Sequence, residues 1–164
     1  MGDFAFRALS SISASGLVPA KLRTHFLRAL GIKIHPTACV WSGADLRSPK
    51  LTMGPHSFLN VRFYHDGYEH LYIEENARIG PDVAVVTATH EIGPPERRCP
   101  WEVVGKPVHI KAGAWVASRV TILPGVTVER GCVIAAGSVV TKSTRPNGLY
   151  AGNPARRVCD LDVD

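Results

Sequence analysis

A chain of 164 residues that is 45% hydrophobic has the length for one domain and the apolar side chains for a sizeable core. Charged residues reach only 20%, which excludes wholesale disorder, and a formal charge of +5 suits an anionic partner: nucleic acid, a membrane surface or a phosphorylated small molecule. Cys39, Cys99, Cys132 and Cys159 stand far apart with no CxxC pair, so neither a zinc knot nor a disulfide framework is indicated. No apolar run approaches the roughly 20 residues of a membrane span. Residues 1–15 lack a secretory apolar region with a cleavage site, and a cytoplasmic setting is expected.

In chain order, residues 1–14 read as loosely held. Val18, Leu22, Phe26, Leu27 and Leu30 then recur near helical spacing, with Pro19 early, Gly31 as a stop and Lys21, Arg23 and Arg28 on the polar side. This predicts a short amphipathic helix within an N-terminal segment, 1–33, whose role is to cap the open end of the domain behind it. A helix lying on a membrane surface is the lesser alternative.

From residue 34 to 164 the chain keeps a metre of six. Its clearest run is Ile110, Val116, Ile122, Val128, Ile134 and Val140. Four places after each of these stands a smaller residue: Ala114, Val120, Val126, Cys132, Ser138 and Thr144. The same metre appears in Ile73, Ile79 and Val85 with Ala77, Val83 and Thr89, and more faintly at Met53 and Leu59 and at Ile34 and Val40 with Ala38 and Ala44. A hexad is too short to bury its own apolar side, so coils must stack into a solenoid, with the aliphatic residue inward and the smaller one at an inner corner. A helical period of 3.6 does not fit, and an ordinary β-sandwich is the remaining alternative. Glycines 113, 125, 131 and 137, with Pro124, supply the turns.

Two segments break the metre. The step from Leu59 to Ile73 is fourteen, so His65–Tyr72 holds two extra residues and should bulge. Residues 91–109 show no metre and carry four prolines, which predicts a protruding loop at about 91–107. Long irregular loops in small domains are usually functional.

Asn60-Val-Arg-Phe, Thr87-Ala-Thr-His90, Ala114-Trp115-Val-Ala-Ser118, Ala136-Gly-Ser-Val-Val-Thr-Lys142 and Gly152-Asn-Pro-Ala-Arg156 together resemble the hexapeptide-repeat acyltransferases. Within these the likeness is to the galactoside and maltose O-acetyltransferases and the O-acetyltransferases of polysaccharides and antibiotics. It covers about two thirds of the chain. It implies an all-β, left-handed parallel β-helix, acetyl-CoA as acyl donor, no metal, a sugar-like hydroxyl as acceptor, and a homotrimer with sites between subunits. The N-terminal helical domain of maltose acetyltransferases is not recognisable here, and an acid from that domain has no evident counterpart.

An alcohol attacking a thioester needs a base, and imidazole, ordinarily titrating near 6.5, is suited to that. The resemblance gives the role to His90, on an outward sixth place at the root of the loop. Asn60 lies thirty residues earlier, the interval that separates the acceptor-site asparagine from the base in the galactoside enzymes, and its amide could hold the acceptor hydroxyl. A simple turn asparagine is the alternative. Trp115, Ala117, Ser118, Ala136, Thr141, Lys142 and Arg156 are implied to contact CoA, Trp115 at the pantetheine arm and Lys142 and Arg156 at the 3′-phosphate. Packing between subunits is the alternative for Trp115. Residues 110–157 carry seven Lys or Arg against one acid, Glu129, which suits CoA phosphates and equally suits solvated turns.

Three other readings stay open. N-acetylation of an amino sugar could use the same base. A γ-type carbonic anhydrase shares the fold and would need three zinc-bound histidines; His65, His70 and His90 are the candidates, but their spacing is in the wrong order. A non-catalytic scaffold would leave His90, Asn60 and Trp115 unexplained. Neither nucleic acid nor a membrane is expected as a partner.

Overall fold

The computed structural model describes residues 3–162, and the metre becomes five stacked coils of three short strands each. The first face holds Lys33–Ile34, Leu51–Met53, Leu71–Ile73, Val108–Ile110 and Thr127–Val128. The second holds Cys39–Val40, Phe58–Leu59, Arg78–Ile79, Trp115–Val116 and Val133–Ile134. The third holds Asp45–Leu46, Tyr64–His65, Ala84–Val85, Thr121–Ile122 and Val139–Val140. Every pair of successive coils is joined by parallel pairing on each face, and the architecture is the left-handed parallel β-helix.

Register follows the metre. Ile34, Met53, Ile73, Ile110 and Val128 are stacked partners on the first face. Val40, Leu59, Ile79, Val116 and Ile134 run down the second, and Leu46, His65, Val85, Ile122 and Val140 down the third. All are buried, as are the corner residues Ala77, Val83, Ala114, Val120, Val126, Cys132, Ser138 and Thr144. One inner place differs from expectation: Thr89 is exposed, because the chain has left the prism by then and Thr87 is the last buried residue of its coil.

The corners need a residue with positive φ. Gly113 and Gly137 supply it at 67° and 71° without a Cβ penalty. On neighbouring coils Arg62 and Asp82 take the same conformation and pair with each other, Nε to Oδ1 at 2.6 Å and Nη2 to Oδ2 at 2.7 Å.

Both ends of the prism are closed. At the start, residues 3–13 form a helix, α1 (Asp3–Ser13), where the sequence predicts a loose segment, and α2 (Ala20–Ala29) lies on the first coil. The buried side of α2 is not its apolar stripe: Arg23, Thr24 and Leu27 are inside and Leu22 is exposed. The Arg23 Nε donates to the Ser13 carbonyl at 2.8 Å, Nη1 to Val40 at 3.1 Å and Nη2 to Ser15 at 2.8 Å. With a further bond from Nη2 to the Val18 carbonyl, four of its five donors meet carbonyls that end or follow α1 or edge the first coil, so burial is largely compensated. At the other end Gly148–Gly152 pairs with Val133–Ile134 and then antiparallel with Ala155–Asp160. There the Arg157 guanidinium donates to the carbonyls of Arg145, Pro146 and Asn147. Among the described residues no helix is long and apolar enough to cross a membrane.

Candidate active site

The two breaks in the metre both fall at the corner between the third and first faces, and they meet. Residues 66–70 bulge after Tyr64–His65. One coil later Ala88–Thr89 leaves the prism and pairs antiparallel with Val104–Gly105, making the stem of the loop. Val108 is buried again, so the metre resumes at 108 and residues 108–109 belong to the prism. Gly105 sits directly on the bulge: a Cβ there would stand 2.6 Å from the Tyr68 ring and from Glu69 Cγ. Only glycine lets the stem pack so closely.

Asp66 ties the two segments together. Its carboxylate accepts the N–H of Thr87 at 2.8 Å, that of Ala88 at 3.0 Å, and the Thr87 hydroxyl. The Thr87 oxygen in turn accepts the Glu69 N–H at 2.9 Å. This network lies two residues before His90. Asp66 is not among the residues singled out from the sequence, although a signal for it exists. An acid inside a two-residue insertion, level with the exit of a loop, is placed to accept backbone N–H groups.

His90 is the first residue beyond Ala88–Thr89 and is exposed. Its Nδ1 lies 3.1 Å from the Glu102 carbonyl oxygen on the returning arm of the loop. A carbonyl can only accept, so Nδ1 carries the proton in the neutral ring and Nε2 is left with its lone pair. A base needs that tautomer.

On the second face, Asn60 and Trp115 line one hollow of about 300 Å³ with Phe58, Arg78 and Gly80. Trp115, Arg78 and Phe58 are register partners on successive coils, so their side chains stand in a row. Asn60 Oδ1 accepts the Val61 N–H at 2.8 Å, so the turn role considered for it is also present. Beside Trp115 the outward places are small. A Cβ on Gly80 would lie 2.8 Å from the Ala117 carbonyl carbon and 2.9 Å from the Ser118 nitrogen. Gly137 donates to the Ser118 carbonyl at 2.9 Å, which stacks Ser118 on the Ala136–Gly137 corner. Trp115, Ala117, Ser118 and Ala136 therefore share one strip. Thr141 and Lys142 are exposed past Val139–Val140, and Arg156 is exposed on the terminal hairpin. His90 is not among the residues lining the Asn60–Trp115 hollow.

The three histidines of the zinc reading go to three environments. His65 fills an inward place on the third face with Nε2 3.2 Å from the Lys50 carbonyl oxygen, and burial pushes its pKa down. His70 Nε2 is 2.8 Å from the Thr52 hydroxyl and its ring stacks on Tyr72 at 4.3 Å; burial, then Lys33 and Lys50, push its pKa down as well. Among the described residues no three His, Cys, Asp or Glu side chains are placed to hold a metal ion.

The family model for the bacterial transferase hexapeptide (six repeats) matches residues 107–142. A hexapeptide-repeat acetyltransferase from Vibrio cholerae superposes with a TM-score of 0.83 at 29% identity, over 98% of this chain and 93% of that one. The same protein has been solved with acetyl-CoA, at 28% identity and a TM-score of 0.79, over 97% of this chain and 88% of that one. A maltose O-acetyltransferase from Clostridium difficile 630 gives a TM-score of 0.85 at 27% identity, over 98% and 86%. In sequence, a Schizosaccharomyces pombe protein provisionally named an acetyltransferase is 42% identical over 90 residues, 55% of this chain and 43% of its own length. The chain thus spans under half of that relative. By repeat, by fold along nearly its whole length and by partial sequence match, this chain is similar to the hexapeptide-repeat acetyltransferases.

Proposed function

We propose that the protein transfers acetyl from acetyl-CoA to a hydroxyl of a sugar or sugar-like acceptor, with His90 as general base. His90 Nε2 removes the hydroxyl proton as the oxygen attacks the thioester carbonyl. The C–S bond then breaks, the thiolate takes the proton, and an ester and free CoA leave. The observation that carries this reading is the Nδ1 contact to the Glu102 carbonyl, which fixes both the ring and the tautomer. Acetyl-CoA as donor is supported by the complex of the Vibrio cholerae relative, and a hydroxyl acceptor by the maltose O-acetyltransferase.

Asn60 positions the acceptor and Trp115 covers the pantetheine arm, beside the strip of Ala117, Ser118 and Ala136. Thr141, Lys142 and Arg156 receive the nucleotide end, the two cations at the 3′-phosphate. His90 and the Asn60–Trp115 hollow occupy different parts of one chain, which supports a homotrimer whose sites are completed across subunits. The bulge and loop meeting at Gly105 form the acceptor side.

A thiol-release screen with acetyl-CoA across sugars, amino sugars and sugar-bearing antibiotics tests the reading. A product bond cleaved by hydroxylamine identifies an ester. A product stable to hydroxylamine identifies an amide and replaces the O-acetyl reading with the N-acetyl one.

A further inference from the structure

The two helices at the N-terminal end cap the core with Phe6 and Leu27 but leave further large apolar side chains in solvent. α1 turns Phe6, Ser10 and Ser13 inward and leaves Phe4 87% and Ile12 64% exposed. Phe4, Ala8 and Ile12 stand at four-residue spacing, so they form one stripe on the outer side. α2 buries Arg23 and Thr24 and exposes Leu22, and Leu17 in the connection is 94% exposed. A helix that only covers a core puts its apolar stripe inside and its polar residues out. Here Phe6 and Leu27 reach the core, but two serines, a threonine and an arginine are inside with them while a phenylalanine, an isoleucine and two leucines meet solvent.

The charge is just as uneven. Residues 4–44 contain no Asp or Glu and five cations: Arg7, Lys21, Arg23, Arg28 and Lys33. The whole chain has 19 basic and 14 acidic residues, so outside this segment 14 stand against 14 and the entire surplus of +5 lies in it. Arg23 is committed to carbonyls, and the other four are exposed. Arg7 shares a hollow with Phe4, Ala8 and Ser11, which sets a cation directly beside the apolar stripe. Lys21 and Arg28 line a second hollow of about 450 Å³ with Thr24, His25 and Thr37.

We infer that this end of the solenoid is a docking surface for an anionic lipid bilayer. Exposed apolar side chains with Arg7 beside Phe4, further exposed cations on α2 and Asp3 as the one acid of the two helices fit the boundary between acyl chains and negative headgroups. A second copy of the chain would bring the same positive sign to the face. Nucleic acid would use the cations and leave Phe4, Ile12, Leu17 and Leu22 without a role. The surface belongs to the first coil, away from the loop that carries His90, and it does not depend on the catalytic reading.

Flotation of the full chain with vesicles tests this. Binding is expected to phosphatidylcholine mixed with phosphatidylglycerol, not to phosphatidylcholine alone, and should weaken as salt rises. Lys21→Gln and Arg28→Gln should each weaken it about fivefold, and Ile12→Ser with Leu17→Ser should remove most of it. All four side chains are exposed, so melting temperatures should be unchanged; if the serine pair misfolds, Leu17→Ser alone serves, being outside both helices. The inference is overturned if the mixed vesicles do not bind at low salt, or if binding survives the serine variants and a DNA duplex binds equally well. It is also overturned if the serine variants lower the oligomeric state without vesicles, which would make the face a contact between copies.

Discussion

Asp66 accepts two main-chain N–H groups and a hydroxyl at the exit of the loop, and His90 follows on that same strand end. The expectation is that Asp66 positions His90 through this strand end. Asp66→Asn replaces one acceptor oxygen with a donor facing donors, at a cost of about 1–3 kcal/mol in stability. The expected result is a fall in kcat of roughly tenfold or more with the acetyl-CoA KM within about twofold, and no further fall when added to His90→Ala, since both act through one base. Wild-type kcat in a variant that melts early would show that the carboxylate holds only the fold. His65 is the second outlier. It occupies a place that Leu46 and Val85 fill on adjacent coils, and among the described residues its Nδ1 is buried without a hydrogen bond, the Asp66 carboxylate lying 3.7 Å away. Burial lowers its folded pKa below the unfolded value near 6.5. The unfolded chain therefore binds the proton first, and stability falls as pH drops below about 6.5. His65→Leu should stabilise the fold by about 1 kcal/mol at neutral pH and flatten melting temperature against pH between about 6.5 and 5. His70 and His109, also lowered by burial, leave a residual slope. An unchanged slope would contradict the assignment.

At the scale of elements, what the sequence made legible was what repeats. Six aliphatic residues in metre from Ile110 to Val140 fixed which side chains are inside, and all six are. The loop was legible by its lack of metre, and the structure gives it a stem, 88–89 with 104–105, and a short helical turn, Pro95–Arg97. The helices were less legible, because periodicity in a short stretch assumes that apolar residues go inward. The carbonyls of Ser13, Ser15 and Val40 draw Arg23 inside instead and turn Leu22 out. Asp66 was hidden for a similar reason: its function depends on a coil twenty-one residues later, which only stacking brings beside it. The register of the stem gives a direct prediction. Replacing residues 91–103 with a short turn leaves Ala88↔Gly105 and Thr89↔Val104 in place. Acetyl transfer should then be lost with the melting temperature within a few degrees of wild type. A collapse of the fold would mean that the loop is structural.

At the scale of the molecule, the prism presents His90 and the Trp115 strip on different sides of one chain, and the proposed homotrimer would complete the site across subunits. Light scattering is expected to report that trimer, and a stable monomer with full activity would contradict it. The central claim is that His90 takes the proton from the acceptor hydroxyl, and its most direct test is steady-state thiol release at saturating acetyl-CoA, once an acceptor is found, for wild type and His90→Ala. The expected result is a fall in kcat of roughly 10²–10⁴ with donor binding, measured by calorimetry, nearly unchanged. A His90→Ala enzyme within a few-fold of wild type at pH 7 would contradict it.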